Sequence, residues 1–207
     1  NFKFIVEDNM ATIIGYVGEQ EKISIPEKLG GAPVTTIGKS AFKDNKKLKA
    51  IDFPSTIKKI DDYAFAECSN LFPIDIPYGV IEIGDYAFSG CTMAVLGDHW
   101  DFQEYLEILD QPDEMLDEFE YDWPELGTIR TLNLEIPDTV TKIGDYAFSN
   151  CRRLNGVYVS ENVKEIGNGV FKDCTYIKKV ILPSRLKSIG DYAFSGCTSI
   201  SYIDIPQ

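Results

Sequence analysis

The residues that could do chemistry are few and oddly regular. The chain holds five cysteines, Cys68, Cys91, Cys151, Cys174 and Cys197, and a single histidine, His99. Cysteine and histidine are the usual ligands of zinc, and a cysteine beside a histidine can act as a nucleophile. The spacing argues against both. The cysteines step by 23, 60, 23 and 23 residues, so they come singly and never in the close C-x-x-C pairs that grip a metal. In a structure that repeats with the same period they form a row with parallel Cβ vectors, which is poor geometry for a disulfide. They are expected to be buried free thiols that pack as small hydrophobes.

Carboxylates are the other candidate. The sequence has 33 acids against 20 basic residues, a net charge of −13. A nucleic-acid partner needs clustered Lys and Arg, so that class is not expected. Twelve of the acids lie in residues 92–129, a stretch without Lys or Arg, which leaves the remainder near neutrality with 21 acids and 20 bases. Nothing singles out a pair of carboxylates for general acid–base work. The sequence also lacks the nucleophile-elbow, metalloprotease, phosphate-loop and dinucleotide motifs. No cofactor or metal is expected, and no catalytic residue is assigned. The recurring Asp-Tyr-Ala-Phe, written four times at 62–65, 85–88, 145–148 and 191–194, looks like a catalytic box. An active site, however, is needed once, while packing is needed in every turn.

The elements that carry these residues follow from the repeat. Phe42, Phe65, Phe88, Phe148, Phe171 and Phe194 step by 23, 23, 60, 23 and 23, and a third register of Pro54, Pro77, Pro137, Pro183 and Pro206 agrees, with Ser160 in its one gap. A 60-residue step is one repeat plus an insertion of 37 residues. Before each proline runs a short alternation such as Tyr202-Ile203-Asp204-Ile205, the pattern of a half-buried strand. Gly84, Gly144, Gly167 and Gly190 suit a tight turn of positive φ, with Asp61 in the same place in one repeat. The next residue, Asp62, Asp85, Asp145, Asn168 or Asp191, reads as the N-cap of a single helical turn. Such coils bury nothing alone and must stack. Stacking gives apolar ladders of Ile23, Ile51, Ile74, Leu134, Val157, Val180 and Ile203, of Ile25, Phe53, Ile76, Ile136, Val159, Leu182 and Ile205, and of Ile57, Val80, Val140, Val163 and Leu186. It also predicts one seven-stranded parallel sheet.

The unit Ile177-x-x-Val180-x-Leu182-Pro183-x-x-Leu186-x-x-Ile189-Gly190-x-x-Ala193-Phe194-x-x-Cys197 resembles the BspA-like leucine-rich-repeat family of bacterial and protist surfaces. The resemblance covers residues 20–91 and 131–207, with local departures at Val170, at Ser160 and at an expansion around Gly30-Gly31-Ala32-Pro33. It implies an α/β repeat solenoid, a right-handed superhelix with one parallel sheet face and short helical turns on its convex side. It also implies a secreted or cell-surface protein that adheres to protein ligands, such as host matrix or other cells.

The expected organisation is one solenoid domain over 1–207. Residues 1–19 alternate on both sides of Asp8-Asn9 and read as a hairpin that caps the stack. Residues 20–91 are the first repeats, 92–130 the acidic insertion and 131–207 the last repeats. In the insertion Phe102, Tyr105, Leu106 and Leu109 mark one face of a helix, and Met115, Leu116 and Phe119 a second. Its uses stay open between a solvated face, a protein-docking knob anchored by Trp100 and Trp123, and a calcium site that lacks the usual loop signature. No run of apolar residues is long enough for a membrane helix. The start at Asn1 and the stop after Pro206 suggest a piece of a longer chain. The remaining candidate is the outward side of the strands. There Asp52, Asp75, Glu135, Tyr158, Ile181 and Asp204 form one row, and Lys179 and Tyr202 lie in the next. A binding face and a spacer without a ligand are the competing readings.

Overall fold

The structure, a computed structural model, describes residues 1–92 and 133–205. The helices expected at Phe102–Leu109 and Met115–Phe119, and the anchors Trp100 and Trp123, lie outside the described residues. All fifteen described elements are strands. Strands β1 (Phe2–Glu7) and β2 (Met10–Tyr16) form the hairpin, and β4 (Lys28–Leu29) folds back on β5 (Ala32–Ile37) at the expansion. Each later coil contributes at most two short strands. The first set is β3 (Lys22–Ser24), β6 (Ala50–Asp52), β9 (Asn133–Glu135), β11 (Gly156–Tyr158), β13 (Lys179–Ile181) and β15 (Tyr202–Asp204). The second is β7 (Lys59–Ile60), β8 (Glu82–Ile83), β10 (Lys142–Ile143), β12 (Glu165–Ile166) and β14 (Ser188–Ile189).

Two of the expectations need correction here. The first set does not make one seven-stranded sheet. It divides into β3–β6 and the four-stranded β9–β11–β13–β15, and the coil between them, residues 73–76, has no strand. Proline is the reason. Where other coils place Ala50 or Tyr202, whose N–H groups donate to Glu21 and Lys178 carbonyls at 3.1 Å each, this coil places Pro73, which has no N–H to give. Its side chains Ile74 and Ile76 stay buried nonetheless. Nor is there a single sheet face, because the second set builds further parallel ladders. One of them runs on from the hairpin in the order β1–β2–β5–β7–β8–β10.

The second correction concerns the convex side, where no helical turn forms among the described residues. The stretch around each Phe is a chain of tight turns with a left-handed residue at every fourth position. Tyr63 and Glu67 have φ of 58° and 60°, Tyr146 and Asn150 of 57° and 58°. Two kinds of hydrogen bond explain the conformation. Alternate N–H groups close turns within the coil, as from Ala64 to Asp61, Ala66 to Tyr63 and Cys68 to Phe65. The groups between them donate to the next coil: Tyr63 to Asp85 at 2.8 Å, Phe65 to Ala87 at 2.7 Å and Glu67 to Ser89 at 2.7 Å. A helix would spend every N–H on its own turn. Here half of them tie neighbouring coils together.

The glycines and aspartates act accordingly. Gly84, Gly144, Gly167 and Gly190 are absent from the positive-φ residues, as is Asp61, so the expected left-handed turn is not their role. A Cβ on Gly144 would lie 2.5 Å from both the Asp85 nitrogen and the Gly84 carbonyl carbon; glycine is needed because two backbones touch. The aspartates do not cap their own turn. Asp62 Oδ1 accepts from Asp85 N–H at 3.0 Å, Asp85 from Asp145 at 2.9 Å, Asp145 from Asn168 at 2.8 Å and Asn168 from Asp191 at 2.9 Å. Each side chain caps the equivalent residue one coil on.

The columns form as the repeat requires. Phe42, Phe65, Phe88, Phe148, Phe171 and Phe194 stack with ring centroids 5.0, 5.1, 5.5, 5.7 and 5.5 Å apart. The 5.5 Å step between Phe88 and Phe148 spans the insertion, so the coils on either side of residues 93–132 are direct neighbours. Across the same junction Lys142 Nζ lies 2.6 Å from Glu82 Oε1. At the other end Tyr16 stacks on Phe42 at 5.7 Å, and Phe2 on Tyr16 at 5.4 Å, so the hairpin extends the ring column by two further rings. Each thiol donates to the carbonyl of the Phe one coil back, Cys68 to Phe42 at 3.0 Å and Cys151 to Phe88 at 3.2 Å. Burial pushes the Cys68 thiol up to about 12 and Cys197 up to about 11, and drives Cys91, Cys151 and Cys174 well above the ordinary range. A thiol without thiolate is inert.

Three outcomes follow. Phe148→Ala should cost about 3–5 kcal/mol in urea unfolding, because the ring is fully buried and its removal leaves a cavity. Deleting residues 94–130 restores the 23-residue step and should leave a single cooperative unfolding transition; loss of cooperativity would count against direct stacking. In native protein at pH 8 an aromatic disulfide reagent should spare the four buried cysteines and label the half-buried Cys197 only slowly, because burial holds its thiol protonated, while denaturant exposes all five to fast labelling.

Candidate recognition surface

Strands β9, β11, β13 and β15 run parallel, and their central residues Leu134, Val157 and Val180 are fully buried, with Ile203 half-buried. Successive strand residues point to opposite sides, so the flanking residues face outward in two rows. One row pairs Glu135, Tyr158, Ile181 and Asp204; the other pairs Asn133, Gly156, Lys179 and Tyr202. Six of the expected residues are therefore brought together: Glu135, Tyr158, Lys179, Ile181, Tyr202 and Asp204. Asp52 lies on the separate β3–β6 sheet, where its Oδ2 accepts from the Ser24 hydroxyl at 2.9 Å. Asp75 is exposed on the strandless coil between the two sheets.

Within the rows the side chains settle on one another. A Cβ on Gly156 would lie 3.3 Å from Tyr158 Cε2 and 2.5 Å from Asn133 Oδ1, so this glycine is the floor on which the Tyr158 ring lies. Lys179 Nζ sits 5.9 Å from the centre of the same ring, within range of a cation–π attraction. Ile181 is half-buried and Tyr202 is 50% exposed. The result is a preorganised apolar and aromatic patch with one cation above it and carboxylates, Glu135 and Asp204, at the two ends of its row.

A second aromatic feature was not anticipated. Tyr63, Tyr86 and Tyr146 stack at 4.9 and 5.0 Å with planes within 5° and 8°. Lys43 Nζ lies 5.5 Å from the Tyr63 centroid at one end, and Gly169 lies under Tyr146 at the other. Desolvation first, then the neighbouring tyrosines and the carboxylates of Asp145 and Asp85, push the Tyr86 hydroxyl upward. The signal was present in the sequence, since the tyrosine register runs unbroken through these coils and stops at Ser40 and Gly169. Ion pairs also bridge neighbouring coils, with Lys59 and Lys142 both reaching Glu82. The Lys142 ammonium bonded to Glu82, with Lys59 nearby, holds the Glu82 carboxyl below its ordinary range. Among the described residues no group of three or more His, Cys, Asp or Glu is placed to hold a metal ion, and no helix is long and apolar enough to cross a membrane.

Comparison with known proteins agrees with this geometry. The chain is similar in fold to a leucine-rich-repeat protein of T. pallidum, with a TM-score of 0.68 and 21% identity over 96% of this chain and 87% of that one. It is also similar to a leucine-rich cell surface protein of Faecalibacterium prausnitzii, with a TM-score of 0.61 and 27% identity over 97% of this chain. The chain spans 52% of the length of that second protein. No curated protein sequence matches it. The BspA-type leucine-rich-repeat pattern matches six copies in residues 16–98 and 127–207. With that match over most of its length, the chain belongs to the BspA-type leucine-rich-repeat family.

Proposed function

We propose that this chain is a non-catalytic recognition module, secreted or held at a bacterial cell surface, that binds a protein ligand through the outward face of β9–β11–β13–β15. The carrying observation is the register of that face, which sets Tyr158, Lys179, Ile181 and Tyr202 side by side on rigid strands. Adjoining apolar side chains left open to solvent, half-buried at Tyr158 and Ile181 and exposed at Tyr202, suit a partner site, and tyrosine is enriched among the residues that dominate interface energies. Rigid strands lose little conformational entropy on binding, so more of the contact energy appears as affinity. The cell-surface description of the F. prausnitzii relative supports the location.

A second reading, a spacer segment with no ligand of its own, draws on the way Tyr158, Gly156 and Lys179 cover one another. One experiment separates them. The chain carrying Tyr158→Ser, Ile181→Ser and Tyr202→Ser together is compared with the parent for binding to immobilised matrix proteins and to cultured cells, with circular dichroism as the folding control. The recognition reading expects affinity to fall by at least about thirtyfold, since truncating one interface anchor costs about 2 kcal/mol or more. Binding that is unchanged in a folded variant, or absent in the parent, would favour the spacer.

A further inference from the structure

Strand β1 forms one edge of the sheet β1–β2–β5–β7–β8–β10, and every residue from Lys3 to Glu7 on it is exposed. Three of these in succession are large and apolar, Phe4, Ile5 and Val6, at 37, 41 and 44% exposure. Natural edges are ordinarily blunted by charged side chains, proline, bulges or a covering loop; the charges of β1, Lys3 and Glu7, flank the apolar run and leave it uninterrupted. The one irregularity in this hairpin places its extra residue, Ile14, on β2, so β1 itself is a regular strand.

The orientation of its backbone follows from the turn. Asp8 and Asn9, with φ of 49° and 57°, form the two-residue loop closed by the pair Glu7 and Met10. In such a hairpin the closing pair exchanges hydrogen bonds, and alternate residues behind it do the same. Glu7 and Ile5 therefore turn their N–H and C=O groups toward β2. The bonds between Asn1 and Val17, at 2.9 and 3.0 Å, have the same parity. Phe4 and Val6 turn theirs outward, away from the sheet.

We propose that this edge is a homodimer interface in which β1 pairs antiparallel with β1 of a second copy about a two-fold axis at Ile5. In that register Phe4 lies opposite Val6 of the second copy, and these outward-facing groups exchange hydrogen bonds on both sides of the axis. Ile5 meets Ile5. Lys3 meets Glu7 of the second copy, and Glu7 meets its Lys3. Charge complementarity selects both the occupant and the register: a shift by two residues in either direction sets Lys3 or Glu7 against Ile5. The side bearing Ile5 continues onto Met10 and Ile14 of β2, both 48% exposed, so pairing lays an apolar strip across the junction. The two sheets would then run on as one, and the exposed edge would disappear from both copies.

Sedimentation velocity of the whole chain over a concentration series tests the proposal. The parent should dimerise. Lys3→Glu and Glu7→Lys singly should each raise the dissociation constant by about tenfold, because both symmetric cross-strand pairs turn from attraction to repulsion. The double swap, Lys3→Glu with Glu7→Lys, should restore the parent value within about twofold. Val6→Pro, which removes an outward N–H and leaves the bonds to β2 in place, should give a monomer with unchanged circular dichroism. A parent that stays monomeric at several hundred micromolar, a dimer indifferent to the single reversals, open-ended association in place of a dimer, or a double swap that fails to restore pairing would each overturn it.

Discussion

One spacing governs this molecule. Hydrogen-bonded strands lie about 4.7–4.9 Å apart, and the phenylalanine rings of successive coils lie 5.0–5.7 Å apart. The backbone ladder and the side-chain column thus share nearly the same rise, and neither has to stretch to satisfy the other. Everything that repeats in the sequence repeats because it must fit within that rise. Glycine sits where two backbones touch at Gly84 and Gly144. Cysteine sits where a small apolar group must also give a hydrogen to the Phe carbonyl one coil back. Bulk beyond what that rise allows would have to be absorbed by every coil above.

The convex side shows how strongly the constraint acts. Tyrosine in the left-handed region is costly, on the order of 1–3 kcal/mol, yet Tyr63, Tyr86, Tyr146 and Tyr192 all adopt it. The return is an N–H from each of the first three directed to the next coil, and rings that stack at 4.9 and 5.0 Å, worth about 0.5–1.5 kcal/mol per pair. Local preference loses because the alternative, a helical turn closed on itself, would leave each coil's neighbour without donors.

How much of this was legible follows from the same division. Register was legible throughout: equal spacing of Phe, Cys and Pro placed Phe88 against Phe148 across 60 residues of sequence, and the structure puts them 5.5 Å apart. The outward rows were legible too, because alternation around Leu134, Val157 and Val180 fixes which neighbours face solvent. The shape of the turns was not. Asp-Tyr-Ala-Phe carries a good N-cap residue and a good helix former, and only the demand of the adjacent coil turns Asp85 into a cap for Asp145. Position alone cannot reveal a bond whose partner is a whole repeat away. The interruption at Pro73 was readable from proline chemistry, and the unbroken alternation of Ile74 and Ile76 masked it.

The aspartate row has a direction. Asp62, Asp85, Asp145 and Asn168 each hold the amide of the coil that follows, never the one before, while the convex N–H groups reach the same way. The two ends of the stack are therefore unlike and mutually complementary, as the ends of a bar magnet are. Bare, such a body would join head to tail without limit and grow into a fibre. Where Tyr16 lies over Phe42 the chain doubles back, so the hairpin presents the antiparallel edge of β1 in place of a pole that matches the other.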